Sequence, residues 1–116
     1  MDKRKELKEL YKNTRTEMGV FIIKSSTARK CLVEATGNLK SAINSARFQL
    51  DFECYPNRQL QECWKRDGAS AYTIEVLEKL AYDEDGSKTD YSEELNILKM
   101  LVCEQLAKDG MEFFER

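Results

Sequence analysis

Three tyrosines, one arginine and two glutamates are the parts this sequence offers for moving a proton or steadying charge on a phosphate. They are Tyr55, Tyr72, Tyr91, Arg47, Glu34 and Glu93. Glu34 and Glu93 are also the weak candidates for a divalent metal, because carboxylate oxygens suit hard cations. Their spacing pairs none of them. The chain has no His, so the commonest general base and metal ligand is missing. Cys31, Cys54, Cys63 and Cys103 are scattered without a CxxC and read as buried, reduced thiols of a cytoplasmic protein. The DEDG at 83–86 lacks the ligand spacing and closing Glu of a calcium loop. No phosphate-binding Gly loop, nucleophile elbow, Ser-His-Asp set or zinc cluster is present. No metal site and no cofactor are expected from these residues.

Charge is distributed unevenly. Residues 1–50 hold 11 Lys and Arg against 5 Asp and Glu, while residues 51–116 hold 8 against 16. The cations Lys24, Arg29, Lys30, Lys40 and Arg47 could make nonspecific, salt-sensitive phosphate contacts. Such a split also stabilises an ordinary domain by attraction between its layers.

These residues need elements to hold them. At 116 residues, 41% hydrophobic and 34% charged, the chain has the profile of one soluble domain with a single core. No apolar run approaches ~18 residues and no secretory leader is recognisable, so neither membrane nor secretion is expected. Residues 2–12 read as a charged helix with Leu7, Leu10 and Tyr11 on one side. GVFIIK at 19–24 is a central strand, apolar on both faces, and KCLVE at 30–34 returns as a hairpin. A helix follows from about Asn38 to Phe48, capped by Asn38 or Thr36, with Leu39, Ala42, Ile43 and Ala46 on one face. Residues 50–55 read as a loop. Asn57 caps a second helix that places Leu60, Cys63 and Trp64 on one side, with Trp64 as core. Gly68 ends that helix at positive φ, and Tyr72, Ile74 and Val76, with Leu77 as a further apolar candidate, alternate against Thr73, Glu75 and Glu78 as a third strand. After the acidic loop at 81–89, Asp90 and Glu93 form a capping-box pattern. They open a long helix buried through Leu95, Leu98, Val102 and Leu106, with Leu101 and Cys103 flanking. The last residues drape Met111, Phe113 and Phe114 onto the body or a partner.

The expected architecture is α+β: a small three-stranded, mainly antiparallel sheet packed with helices, plus an N-terminal helix. One domain covers 1–116, with 1–13 as a helical extension and 18–106 as the core.

From Met18 to Leu106 the chain resembles the GIY-YIG domain of homing and repair-type endonucleases. Gly19, Val20 and Phe21 stand where the first motif lies. Thr36, Asn38 and Leu39 match the TxNL segment that fixes the register. Asn57, Leu60, Gln61, Trp64, Gly68, Tyr72 and the strand through Glu75–Glu78 match the central block. The resemblance implies a nuclease-like fold. In active members, motif tyrosines flank the reacting phosphate, an Arg steadies its charge, and a Glu on the last long helix holds a divalent metal.

Carried over residue by residue, those roles are lost. The two tyrosine positions fall on Phe21 and Leu32, the Arg on Ala42, and the His that often follows it on Ala46. The metal-binding Glu falls on Lys99, unless a slip of one turn brings Glu93 or Glu94 there. Phosphodiester cleavage needs a positioned nucleophile and charge stabilisation at the phosphoryl group. Phe and Leu transfer no proton, Ala clamps no phosphate, and Lys repels a cation. The expectation is a catalytically degenerate domain that acts as a binding or interaction module. Its partner would be a protein, a second copy, or weakly bound nucleic acid. The alternative is a divergent endonuclease that uses Mg or Mn with relocated residues.

Overall fold

A computed structural model describes residues 16–82 and 90–114 of the chain. The expected helix over 2–12 and most of the acidic loop lie outside the described residues.

The apolar, β-branched run at the start forms β1 (Met18–Ser25), every residue of which is buried except Lys24. Ser25 tightens the turn that follows, its Oγ accepting the amides of Thr27 at 3.3 Å and Ala28 at 3.1 Å. The chain returns as β2 (Lys30–Thr36), antiparallel to β1, with Phe21 opposite Glu34 and Ile23 opposite Leu32. β3 (Tyr72–Leu80) pairs antiparallel with the other side of β1. A fourth strand, β4 (Glu112–Phe113), pairs parallel to β2 at Lys30 and Cys31. The sheet order is β3-β1-β2-β4. The three expected strands are therefore joined by a fourth, which the C-terminal residues build instead of merely draping over the body.

Of the two proposed caps, Asn38 is the one that caps the next helix, and Thr36 holds Asn38 in place. Asn38 Oδ1 accepts the Ser41 amide at 3.1 Å, and Thr36 Oγ1 accepts the Asn38 amide at 3.1 Å. They open α1 (Leu39–Asp51), which runs three residues beyond the expected end because Leu50 is a fully buried anchor of the core. Asn57 Oδ1 accepts the Leu60 amide at 3.0 Å and starts α2 (Arg58–Asp67). Gly68 leaves that helix at φ 85°. This is the left-handed region that a side chain disfavours.

α3 (Ser92–Lys108) starts differently from the expected capping box. Tyr91 occupies the cap position with no side-chain bond to the helix, and Asp90 Oδ1 accepts the Ser92 amide. Leu101 also departs from expectation, being 58% exposed on the outer side of α3.

The sheet is covered on both faces, which explains why β1 is apolar throughout. On one face Phe21 and Ile23 pack with Leu39, Ala46 and Leu50 of α1, Leu60 and Trp64 of α2, and Phe114. On the other, Val20, Ile22, Cys31 and Val33 meet Leu98, Val102 and Leu106 of α3. Each such buried aliphatic side chain contributes roughly 1.5–3 kcal/mol relative to exposure. A bulge between Val20 and Phe21 breaks the β1–β3 register. Val76 is left 41% exposed, while Leu77 packs with the α3-side core. The simple alternation expected for β3 stops there. All four cysteines are free thiols. Cys31 is buried and Cys63 and Cys103 are half-buried, but Cys54 is exposed, contrary to expectation.

Candidate functional site

β1 and β2 deliver Phe21, Leu32 and Glu34 to the face that α1 covers, because residues directly opposite in an antiparallel pair share a side. The face of α1 that turns to the sheet supplies Ala42 and Ala46, one helical turn apart. The segment between α1 and α2 closes the far wall with Tyr55. Together these six residues line an open groove of about 540 Å³. The structure thus brings together Phe21, Leu32, Ala42 and Ala46, four of the five positions singled out from the resemblance, and their side chains are apolar.

The fifth position, Lys99, does not line the groove but meets Glu34 from the opposite layer. Lys99 projects from α3 around the outer side of β2, which β4 pairs only at Lys30 and Cys31. Its Nζ lies 3.8 Å from Glu34 Oε2. The groove's one acidic side chain is therefore matched by an ammonium group where a metal would need an oxygen donor. Among the described residues, no group of three or more Cys, Asp or Glu is arranged to hold a metal ion. This donor set does not fit a divalent metal.

Tyr55 is the one hydroxyl-bearing aromatic in the groove wall. Burial pushes its phenol up to about 12, and the charge of Glu34 adds to the effect. At neutral pH it is a hydrogen-bond donor and not a base. The sign of the linkage follows directly. The folded protein holds the phenol proton up to about pH 12, whereas an unfolded tyrosine releases it near pH 10. Tyr72, raised to about 12 mainly by burial, acts in the same window. Their stabilising contribution is complete below about pH 10 and is lost as the pH rises towards about 12. An ultraviolet phenolate titration of the native protein should show two late-titrating tyrosines, and Tyr55→Phe should remove one. Two midpoints near that of free tyrosine would refute this.

Asn57 also lines the groove. Its Oδ1 caps α2, but its buried Nδ2 has no hydrogen-bond partner. Sequence reasoning found the cap and missed the donor, since only the packed fold shows which side of the amide turns inward. The Lys99–Glu34 contact was missed for a related reason, because it joins two layers.

The five candidate cations do not share one surface. Lys24 and Arg29 line a second groove, of about 830 Å³, between the β1–β2 turn and the end of α3. Glu75 and Asp109 line it too, so its charge is mixed. Lys30 sits 6.0 Å from the centre of the Phe114 ring, at the outer limit of a cation–π contact. Lys40 and Arg47 are exposed on α1. Glu93 is exposed in the first turn of α3 and lines neither groove.

No protein-family model and no curated protein matches the chain. Solved structures do match. The catalytic domain of homing endonuclease I-TevI superposes with a TM-score of 0.64 at 17% identity, covering 85% of this chain and 99% of that domain. This chain has the GIY-YIG endonuclease fold. A glutamate-to-alanine mutant of the I-TevI catalytic domain, an intron endonuclease, gives a TM-score of 0.52 at 20% identity over 70% of this chain and 86% of its own. At such identities the likeness is one of fold. In this chain the groove described above carries the apolar side chains of Phe21, Leu32, Ala42 and Ala46 beside Glu34, which Lys99 approaches. No helix among the described residues is long and apolar enough to cross a membrane.

Proposed function

We propose that this GIY-YIG fold is a binding module, catalytically degenerate, whose groove takes a protein partner. The observation that carries the reading is the groove lining of Phe21, Leu32, Ala42 and Ala46, with Glu34 facing Lys99. Apolar walls with a few polar groups suit a peptide side chain. They offer neither the proton transfer nor the charge stabilisation that phosphodiester cleavage requires. Weak nucleic-acid binding accompanies this role through the exposed Lys40 and Arg47, with Lys24, Arg29 and Lys30 as further contacts.

The test is a fluorescence-anisotropy titration with labelled duplex and branched DNA, with and without magnesium or manganese, followed by a gel on the recovered label. The expected result is intact DNA under every condition. Any binding should be no tighter than ~10⁻⁴–10⁻⁶ M and should fall steeply with salt. Metal-dependent cleavage that Glu34→Gln or Arg47→Ala abolishes would overturn the proposal in favour of a divergent endonuclease.

A further inference from the structure

α3 is apolar on two opposite sides. Leu95, Leu98, Val102 and Leu106 face the body of the protein. On the other side Ile97, Met100 and Leu101 are 51%, 70% and 58% exposed and belong to none of the core clusters formed among the described residues. At 3.6 residues per turn, Glu93, Ile97, Met100, Leu101, Glu104 and Lys108 fall within about 100° of arc, centred almost opposite the buried stripe. All six are exposed. An ordinary surface helix carries polar residues on its outer side, whereas one that is apolar on both sides packs against something on both.

The charges along the outer stripe say what covers it. An acid stands at one end, Glu93, and a base at the other, Lys108, with Met100 and Leu101 between them. Reversing the helix about the midpoint of Met100 and Leu101 maps Glu93 onto Lys108, Ile97 onto Glu104 and Met100 onto Leu101. The charged ends of the stripe are thus complementary to each other, and its Met100–Leu101 centre to itself, under a two-fold axis, the symmetry of an isologous dimer. We infer that two copies of this chain associate through an antiparallel α3–α3 contact. Met100 and Leu101 lie on the axis, and Glu93 of each copy faces Lys108 of the other.

Lys108 Nζ already lies 3.6 Å from Glu104 Oε1 in its own chain, so each end of the contact becomes a small charge network. The apolar centre supplies the affinity, and the end charges set antiparallel over parallel orientation. A parallel pair would bring Glu93 against Glu93 and Lys108 against Lys108. This inference does not depend on what the groove binds.

Sedimentation velocity on the full chain over a wide range of concentration tests it. The expected result is a reversible shift from the 13.5 kDa chain mass to twice that value. Leu101→Glu should leave the monomer at all concentrations. Far-UV circular dichroism would check its fold, which should hold because Leu101 is on the solvent side. Glu93→Lys alone should raise the dissociation constant about tenfold, since two pairs become repulsive, and Glu93→Lys with Lys108→Glu should restore it. A wild-type chain that stays monomeric throughout overturns the inference. So does a dimer that Leu7→Glu with Leu10→Glu abolishes while Leu101→Glu leaves it intact, because the N-terminal segment would then make the contact.

Discussion

Gly19→Ala is expected to lower the unfolding free energy by ~3 kcal/mol or more. A Cβ on Gly19 would lie 2.0 Å from the Glu78 carbonyl oxygen and 2.8 Å from the Lys79 Cα. Both obstacles are backbone, so no side-chain rotation relieves the clash. Gly19 sits on the central strand, opposite Thr36 on one side and Lys79 on the other. Moving it away from β3 presses it towards β2. The neighbouring bulge between Val20 and Phe21 already uses the slack in that register. Domains of this kind have only about 5–15 kcal/mol of total stability, so the variant should show a strongly reduced urea midpoint and a population of unfolded chain. A midpoint within experimental error of the parent would show that β3 can yield there. The result also bears on how the sequence is read. Gly19 matches the glycine of a nuclease motif, yet in this chain its role is to admit a neighbouring backbone. That is a requirement of the fold.

Trp64→Ala is the second large effect, with an expected loss of ~3–5 kcal/mol. Trp64 is 6% exposed and is one of two buried side chains, with Leu60, by which α2 is held to the body. Its ring stacks on Tyr72 at 5.2 Å with the planes 29° apart, so it joins the end of α2 to the start of β3. Its carbonyl accepts the Gly68 amide at 2.8 Å, at the point where the chain turns out of the helix. Truncation would leave a cavity between α2 and the sheet, and a ten-residue helix cannot persist without that packing. Trp64 is the only tryptophan, so unfolding of the variant must be followed by circular dichroism instead of fluorescence. A loss under ~1 kcal/mol would mean that α2 repacks around the gap.

Much of this fold is written locally. The apolar run of β1, the two asparagine caps and Gly68 each carry their reason within a few residues, and all appear where their chemistry requires. The TxNL match set the register on which Phe21, Leu32, Ala42 and Ala46 were singled out, and the fold brings these four into one groove. The remainder depends on partners distant in sequence. β4 is two residues long and exists because Arg29 and Cys31 offer carbonyls to Glu112 and Phe114. Nothing inside residues 110–114 announces a strand. The bulge that exposes Val76 and turns Leu77 inward arises from how β1 and β3 meet. Lys99 and Glu34 come together only because α3 lies across β2. The outer stripe of α3 was hidden for another reason, since apolar residues on both sides of a helix blur its period and Leu101 reads as a flank of the buried face.

The position of β3 at the margin of the sheet bears on how the protein behaves when crowded. Among the described residues nothing pairs with the outer side of β3, so nine residues of strand present a row of amides and carbonyls on which another molecule's strand can grow, and open edges of this kind drive aggregation. Here the row carries Glu75, Glu78 and Lys79, all exposed, with Lys79 Nζ 2.9 Å from Glu17 Oε2. A strand docking alongside would have to strip water from these charges, which is costly. Growth from sheet to sheet is therefore discouraged at the long edge by the charges that the edge itself carries.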